Sequence, residues 1–124
     1  LVKPSQFILS SCDLSSYNKI ISDKGLTNLA KAMNPSDLWQ LLICLGLPDD
    51  LIRHHHLNNP TVAQAGASAL YEWRNQNEKT GTKELIRNLI EELESIGRGD
   101  VAETVKTILQ QNRYPTKTDF QHGK

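Results

Sequence analysis

The chain has little of what marks a membrane-spanning, disulfide-framed or nucleic-acid-binding protein. Its 124 residues contain no run of about 18 apolar residues, so nothing in it reads as a transmembrane helix. Phe7-Ile8-Leu9 is too short for the apolar centre of a signal peptide. Only two cysteines occur, Cys12 and Cys44. Their spacing is neither a disulfide framework nor a zinc motif, which favours a reducing compartment and a cytoplasmic location. Neither Asn-x-Ser/Thr triplet can be glycosylated, because Pro35 and Pro60 occupy the middle positions. An excess of one charge is also missing, since 14 Lys and Arg balance 14 Asp and Glu. A nucleic-acid binder shows a basic excess or stripe, whereas the best-charged segment here, Lys83 to Glu103, mixes both signs. Hydrophobic residues make up 38%, which implies a modest core. One domain of this length buries about two-thirds of the surface exposed by its unfolded chain. Leu1 in place of Met points to an excerpt from a longer protein.

What is present is helical spacing, almost from end to end. Leu14, Tyr17 and Ile21 fall on one face of an amphipathic turn or extra helix. Leu26, Leu29, Ala30 and Met33 form the next apolar stripe. Asn34-Pro35 restarts the chain, with Asn as cap, Pro at the first helical position and Asp37 at the third. Leu38, Leu41, Leu42 and Leu45 follow, and Gly46 stops that helix. Pro48 opens a short helix holding Leu51 and Ile52. Asn59-Pro60 repeats the Asn-Pro start for Val62, Ala65, Ala69, Leu70 and Trp73. Ile86, Leu89, Ile90, Leu93 and Ile96 make the strongest face, between breaks at Thr80-Gly81-Thr82 and Gly97-Arg98-Gly99. Asp100 with Glu103 reads as a capping box for Val101, Val105 and Ile108. Short helices with one apolar stripe each must bury those stripes against one another. The expected fold class is therefore all-α. Residues 1–23 read as an N-terminal extension, 24–111 as the domain and 112–124 as a polar tail.

Four fragments, in order and at matching spacing, resemble a death domain of the six-helix death-fold superfamily. Asp37-Leu38-Trp39-Gln40-Leu41 with Leu45-Gly46-Leu47 approximates the family's Asp-Trp-x-x-Leu-Ala-x-x-Leu-Gly-Leu second helix. Leu51-Ile52 follows at the spacing of the third. Ala65, Ala69, Leu70 and Trp73 are similar to its Ala-x-x-x-Leu-Leu-x-x-Trp fourth helix. Ile86, Leu89, Ile90, Leu93, Ile96, Arg98, Asp100 and Glu103 resemble the fifth-to-sixth helix passage of receptor death domains, those of neurotrophin and netrin receptors among them. The resemblance implies an antiparallel Greek-key bundle of six helices, no catalysis and no cofactor. It also implies homotypic docking with other death-domain proteins through three asymmetric interface types, recruiting kinases or caspases to receptors. Two positions depart from the pattern. Leu38 stands where the second-helix Trp is usual, and one residue turns a helical side chain by about 100°, which places Trp39 beside the core. Ala69 stands where Leu is common.

The candidate sites have a bland and a sharp reading each. His54, His55 and His56 are consecutive, and adjacent side chains diverge, so they do not meet the i, i+4 requirement of a helical zinc site. The bland reading is a solvated short helix, and the sharp one is a zinc-dependent enzyme fragment. Between them lies a patch, with Arg53, that gains positive charge as pH falls through about 6.5. A fourth histidine, His122, lies in the polar tail. Arg98-Gly99-Asp100 spells an integrin tripeptide but sits where a helix breaks and the next is capped. Trp73 reads as core, and Cys44 as a small hydrophobe within Leu and Ile. Glu91, Glu92 and Glu94 read as a solvated helix face, or as an acidic patch meeting a basic one such as Arg53 on another copy. The residues expected to contact a partner are Trp39, Asp49, Asp50, Arg53, Glu91, Glu94, Arg98 and Asp100. A helical nucleic-acid binder is the alternative function, and caspase-recruitment and death-effector domains are the alternatives within the fold.

Overall fold

The computed structural model describes residues 14–120, and the regular structure within that range is helical. In chain order the helices are α1 (Leu14–Ile21), α2 (Asp23–Ala32), α3 (Pro35–Cys44), α4 (Asp49–Leu57), α5 (Val62–Gln76), α6 (Thr82–Ser95) and α7 (Gly99–Gln111). Short 3-10 turns occupy Glu78–Thr80 and Lys117–Phe120. Phe7-Ile8-Leu9, Cys12, His122 and Gly123 lie outside the described residues.

Local chemistry sets most of the boundaries. Ser22 separates α1 from α2, its side chain accepting from the Gly25 N–H at 3.1 Å. At α3 the Asp37 N–H donates to Asn34 Oδ1 at 2.8 Å, and Asn34 Nδ2 donates back to the Asp37 carboxylate at 2.9 Å. α6 ends on Gly97 at φ +86, a left-handed conformation that costs glycine nothing. Its N–H bonds the Glu94 carbonyl at 3.1 Å and the Arg98 N–H bonds that of Leu93 at 2.8 Å, closing a Schellman turn. Gly46 ends α3 in the same way.

Two expected starts are corrected. α5 does not begin from Asn59-Pro60. Thr61 is its cap, accepting from the Gln64 N–H at 3.1 Å, while Asn59 donates to the His55 carbonyl at 2.7 Å and finishes α4. The capping box of Asp100 and Glu103 does not form either. Asp100 lies inside the first turn of α7, its carboxylate taken by Arg98, and Glu103 turns to Lys106.

One apolar core joins the seven described helices. α2 packs most extensively on α5, α4 on α5, α6 on α7, and α1 on α2, α6 and α7. α6 supplies Leu85, Ile86, Leu89, Ile90 and Leu93, and α7 supplies Val101, Ala102, Val105, Ile108 and Leu109. Trp73 and Ala69 are buried in α5. Tyr17, Ile20 and Ile21 of α1 join the same cluster. Ser16 is buried with them, donating its hydroxyl to the Leu109 carbonyl.

Beyond α7, Asn112 takes a left-handed φ of +52 and the chain turns back toward α2. Pro115 is buried, and its carbonyl accepts from Asn28 Nδ2 at 3.0 Å. Arg113 and Asp119 close this segment with paired hydrogen bonds of 2.7 and 2.6 Å. The Arg113 guanidinium, with help from Thr116, holds the Asp119 carboxyl down to about 2 against the opposing effect of burial.

Candidate docking surface

α4 stands on the bundle through a narrow base. Ile52 is buried, and Leu51 packs against the core from a half-buried position. Asp49 and Asp50 occupy its first turn, where carboxylates complement the helix dipole. Arg53 lies one turn on, its Nε 3.1 Å from the Asp49 carboxylate, with both side chains well exposed. A surface pair of this kind is worth about 0.3–0.5 kcal/mol. It orients Arg53 along the helix.

The three histidines take three headings. His54 is exposed beside Asn58. His55 turns to α5, its Nε2 2.7 Å from Glu72 Oε1. His56 meets Trp39 edge-on, with ring centroids 6.1 Å apart. They do not converge on one point. The expectation of largely solvated imidazoles is corrected for His55, whose side chain is only 16% exposed. Adjacent residues on a helix diverge, so one of three faces the neighbouring helix whatever the others do.

Leu38 takes the core position in α3 and Trp39 lies half-buried at its rim. Trp39, His56, Leu42, Ile52 and Val62 line a small apolar cavity of about 20 Å³. Across it α3 and α5 approach closely, because a Cβ on Gly66 would sit 2.3 Å from Leu38 Cδ2.

The α6–α7 corner is tied by charge. Arg98 reaches α3, its Nη1 2.7 Å from Asp37 Oδ2, and holds Asp100 with bonds of 3.0 and 3.1 Å. Hydrogen bonds to Asp100 first and Asp37 second raise the Arg98 pKa, and the same guanidinium lowers that of Asp100. Arg98 is thus an internal clasp before it is a surface cation. Asp37 is its second partner, and a separation of 61 residues hides that pairing from any local pattern.

Glu91 is exposed and Glu92 half-buried on α6. Glu94 lies 3.1 Å from Lys106 of α7, which also holds Glu103 at 3.1 Å. Lys106 is only 5% exposed. Burial works against its charge, but the two carboxylates outweigh that effect and raise its pKa. Cys44, expected to pack as a small hydrophobe, is exposed at the end of α3 because Leu41 and Leu42 already fill the inward face. Ile43 is exposed beside it.

The expected partner residues therefore fall into two groups. Trp39, Asp49, Asp50 and Arg53 belong to α3 and α4, while Glu91, Glu94, Arg98 and Asp100 belong to the α6–α7 corner. α4 packs on α5 and α3, and α6 on α7, α1 and α3, so the groups ride on different helix pairs. Among the described residues, no helix is long and apolar enough to cross a membrane.

Short helices packed around one apolar core, with most of their charged side chains at the surface, make this a small all-α bundle. The family model for the death domain matches residues 23–109, and the chain belongs to that family. Its fold is the all-α death fold, and members of the family are protein–protein interaction modules. Comparisons with curated proteins and with solved structures give no match.

Proposed function

We propose that this chain is a non-catalytic docking module that binds other death-domain proteins in the cytoplasm and assembles signalling complexes of the apoptotic or innate-immune, NF-κB type. The observation that carries the reading is the family match across residues 23–109. Charged side chains then supply the specificity. Asp49, Asp50 and Arg53 on α4 form one docking patch, Glu91 and Glu94 on α6 another, and Arg98 with Asp100 the corner between α6 and α7. Complementary charge at such surfaces sets register and partner choice more than affinity. Trp39 is an apolar anchor at the rim of the α4 patch. The docking unit runs from α1 to residue 119, since α1 contributes Tyr17 and Ile20 to the core and Pro115 is buried.

The test is affinity capture from cytoplasmic lysate with wild type, Arg53→Glu and Glu91→Lys. Capture of a death-domain protein that either reversal abolishes, with helical circular dichroism retained, supports the reading. Capture that ignores both reversals, or yields only nucleic acid, sinks it.

A further inference from the structure

The segment after α7 and the ends of α3 and α6 carry surfaces of complementary chemistry. At the ends of α3 and α6, Gln40, Ile43, Cys44, Ser95 and Ile96 line a groove of about 330 Å³. Ile43 is 48% exposed there. Two helix C-termini meet at this groove, each bearing partial negative charge, and neither has a basic residue in its last turn. Glu91 and Glu92 add carboxylates one turn before Ser95 and Ile96, whereas Glu94 is already taken by Lys106. The groove therefore mixes apolar Ile43 and Ile96 with polar Gln40 and Ser95, and the Glu91 and Glu92 carboxylates stand one turn away on α6.

The opposite chemistry stands elsewhere. Tyr114 is 46% exposed on the segment that follows α7. Lys19 Nζ of α1 lies 5.8 Å and Lys24 Nζ of α2 lies 5.4 Å from its ring centroid. Lys19 also bonds the Asn112 carbonyl at 3.0 Å and its side-chain oxygen at 3.1 Å, which fixes the segment carrying Tyr114. The result is an aromatic knob held between two ammonium groups. Tyrosine has an apolar ring and a polar tip, so it matches a groove lined by both apolar and polar side chains.

We infer that the Tyr114 knob of one copy, flanked by Lys19 and Lys24, seats in the Ile43–Ile96 groove of a second copy, where Glu91 and Glu92 meet the lysines. The inference rests on the docking reading above and names a partner for its acidic patch. Arg53 is the weaker counterpart, because Asp49 already holds it and Asp50 adds a second carboxylate to the same helix. Knob and groove are different surfaces, so the contact is head-to-tail and leaves a free knob and a free groove on every assembly that does not close into a ring.

The experiment is sedimentation of wild type, Tyr114→Glu and Ile43→Glu across a concentration series, each first checked for helical circular dichroism. Both substitutions fall at half-exposed side chains, so the bundle persists. Wild type forms oligomers that grow with concentration and weaken as salt screens the lysine–glutamate contacts. Each variant alone loses every species above monomer. Their equimolar mixture forms a one-to-one complex and nothing larger, since each supplies the surface the other lacks. Wild type that stays monomeric, or a variant that assembles like wild type, overturns the pairing. A chain that stays monomeric yet still binds another death-domain protein through Glu91 or Arg53 overturns this pairing alone and leaves the docking reading intact.

Discussion

α6 and α4 are neighbours of the same α3, yet they are built in opposite ways. α6 buries Leu85, Ile86, Leu89, Ile90 and Leu93, whereas α4 buries Ile52 alone. α6 is also tied to α7 by the Glu94–Lys106 pair, and the turn after it to α3 and α7 by Arg98. α4 is tied to its surroundings by Leu51, by the His55–Glu72 bond and by the edge contact of His56 with Trp39. One helix holds the fold together and the other is displayed on it. A module that works by docking needs both, because a rigid support sets where the displayed charges stand.

The contrast breaks most sharply at Leu89. It is fully buried on α6, and truncation to Ala removes its contacts and leaves a cavity. Leu89→Ala is expected to destabilise the bundle by about 2–5 kcal/mol. Urea unfolding followed by circular dichroism measures this. A loss below about 1 kcal/mol would mean that α6 does not organise the core.

Arg98 tests the corner next. Arg98→Ala leaves Asp37 and Asp100 without their cation in a site about one-fifth exposed at Asp37. The expected loss is about 1–2 kcal/mol, below the core truncation because solvent reaches part of the cluster. Arg98→Lys recovers only part of it, since an ammonium cannot reproduce the paired bonds to Asp100 while reaching Asp37. Full recovery by Lys, measured in the same urea titration, would show that charge alone matters there.

The two regions also differ in how far they could be read from the sequence. Apolar spacing and glycine breaks located α6 and α7, because an inward stripe repeats at helical period and Gly97 must take a positive φ. The same rules located α4 but not its contacts. His55 finds Glu72 17 residues away, and which of three histidines turns inward depends on where α5 lies. Asn34-Pro35 and Asn59-Pro60 are identical pairs with different outcomes. Thr61 offers a competing cap two residues on, and Asn59 is drawn to the carbonyl of His55. The Tyr114 knob was hidden for the same reason, its lysines lying 95 and 90 residues earlier in the chain.

A smaller effect sharpens the account of α4. A double-mutant cycle on His55→Ala and Glu72→Ala is expected to return a coupling of about 0.5–1.5 kcal/mol, the usual net worth of one hydrogen bond. Amide exchange then separates local from global loosening. Amides of α4 should exchange faster in His55→Ala than in wild type, while those of α6 keep pace with the change in global stability. Equal acceleration in both helices would mean that α4 opens only when the whole bundle does.

The smallest effect is expected at Leu57, the last residue of α4. Its side chain is 83% exposed, so folding gives it almost nothing that unfolding takes away. Leu57→Ser should leave stability within about 0.5 kcal/mol of wild type. The value of the measurement lies in the pairing with Leu89→Ala, the same residue type on the other helix. A large loss at Leu57 would require that the end of α4 packs against something in solution, and the division between a holding helix and a displayed one would fail at that point.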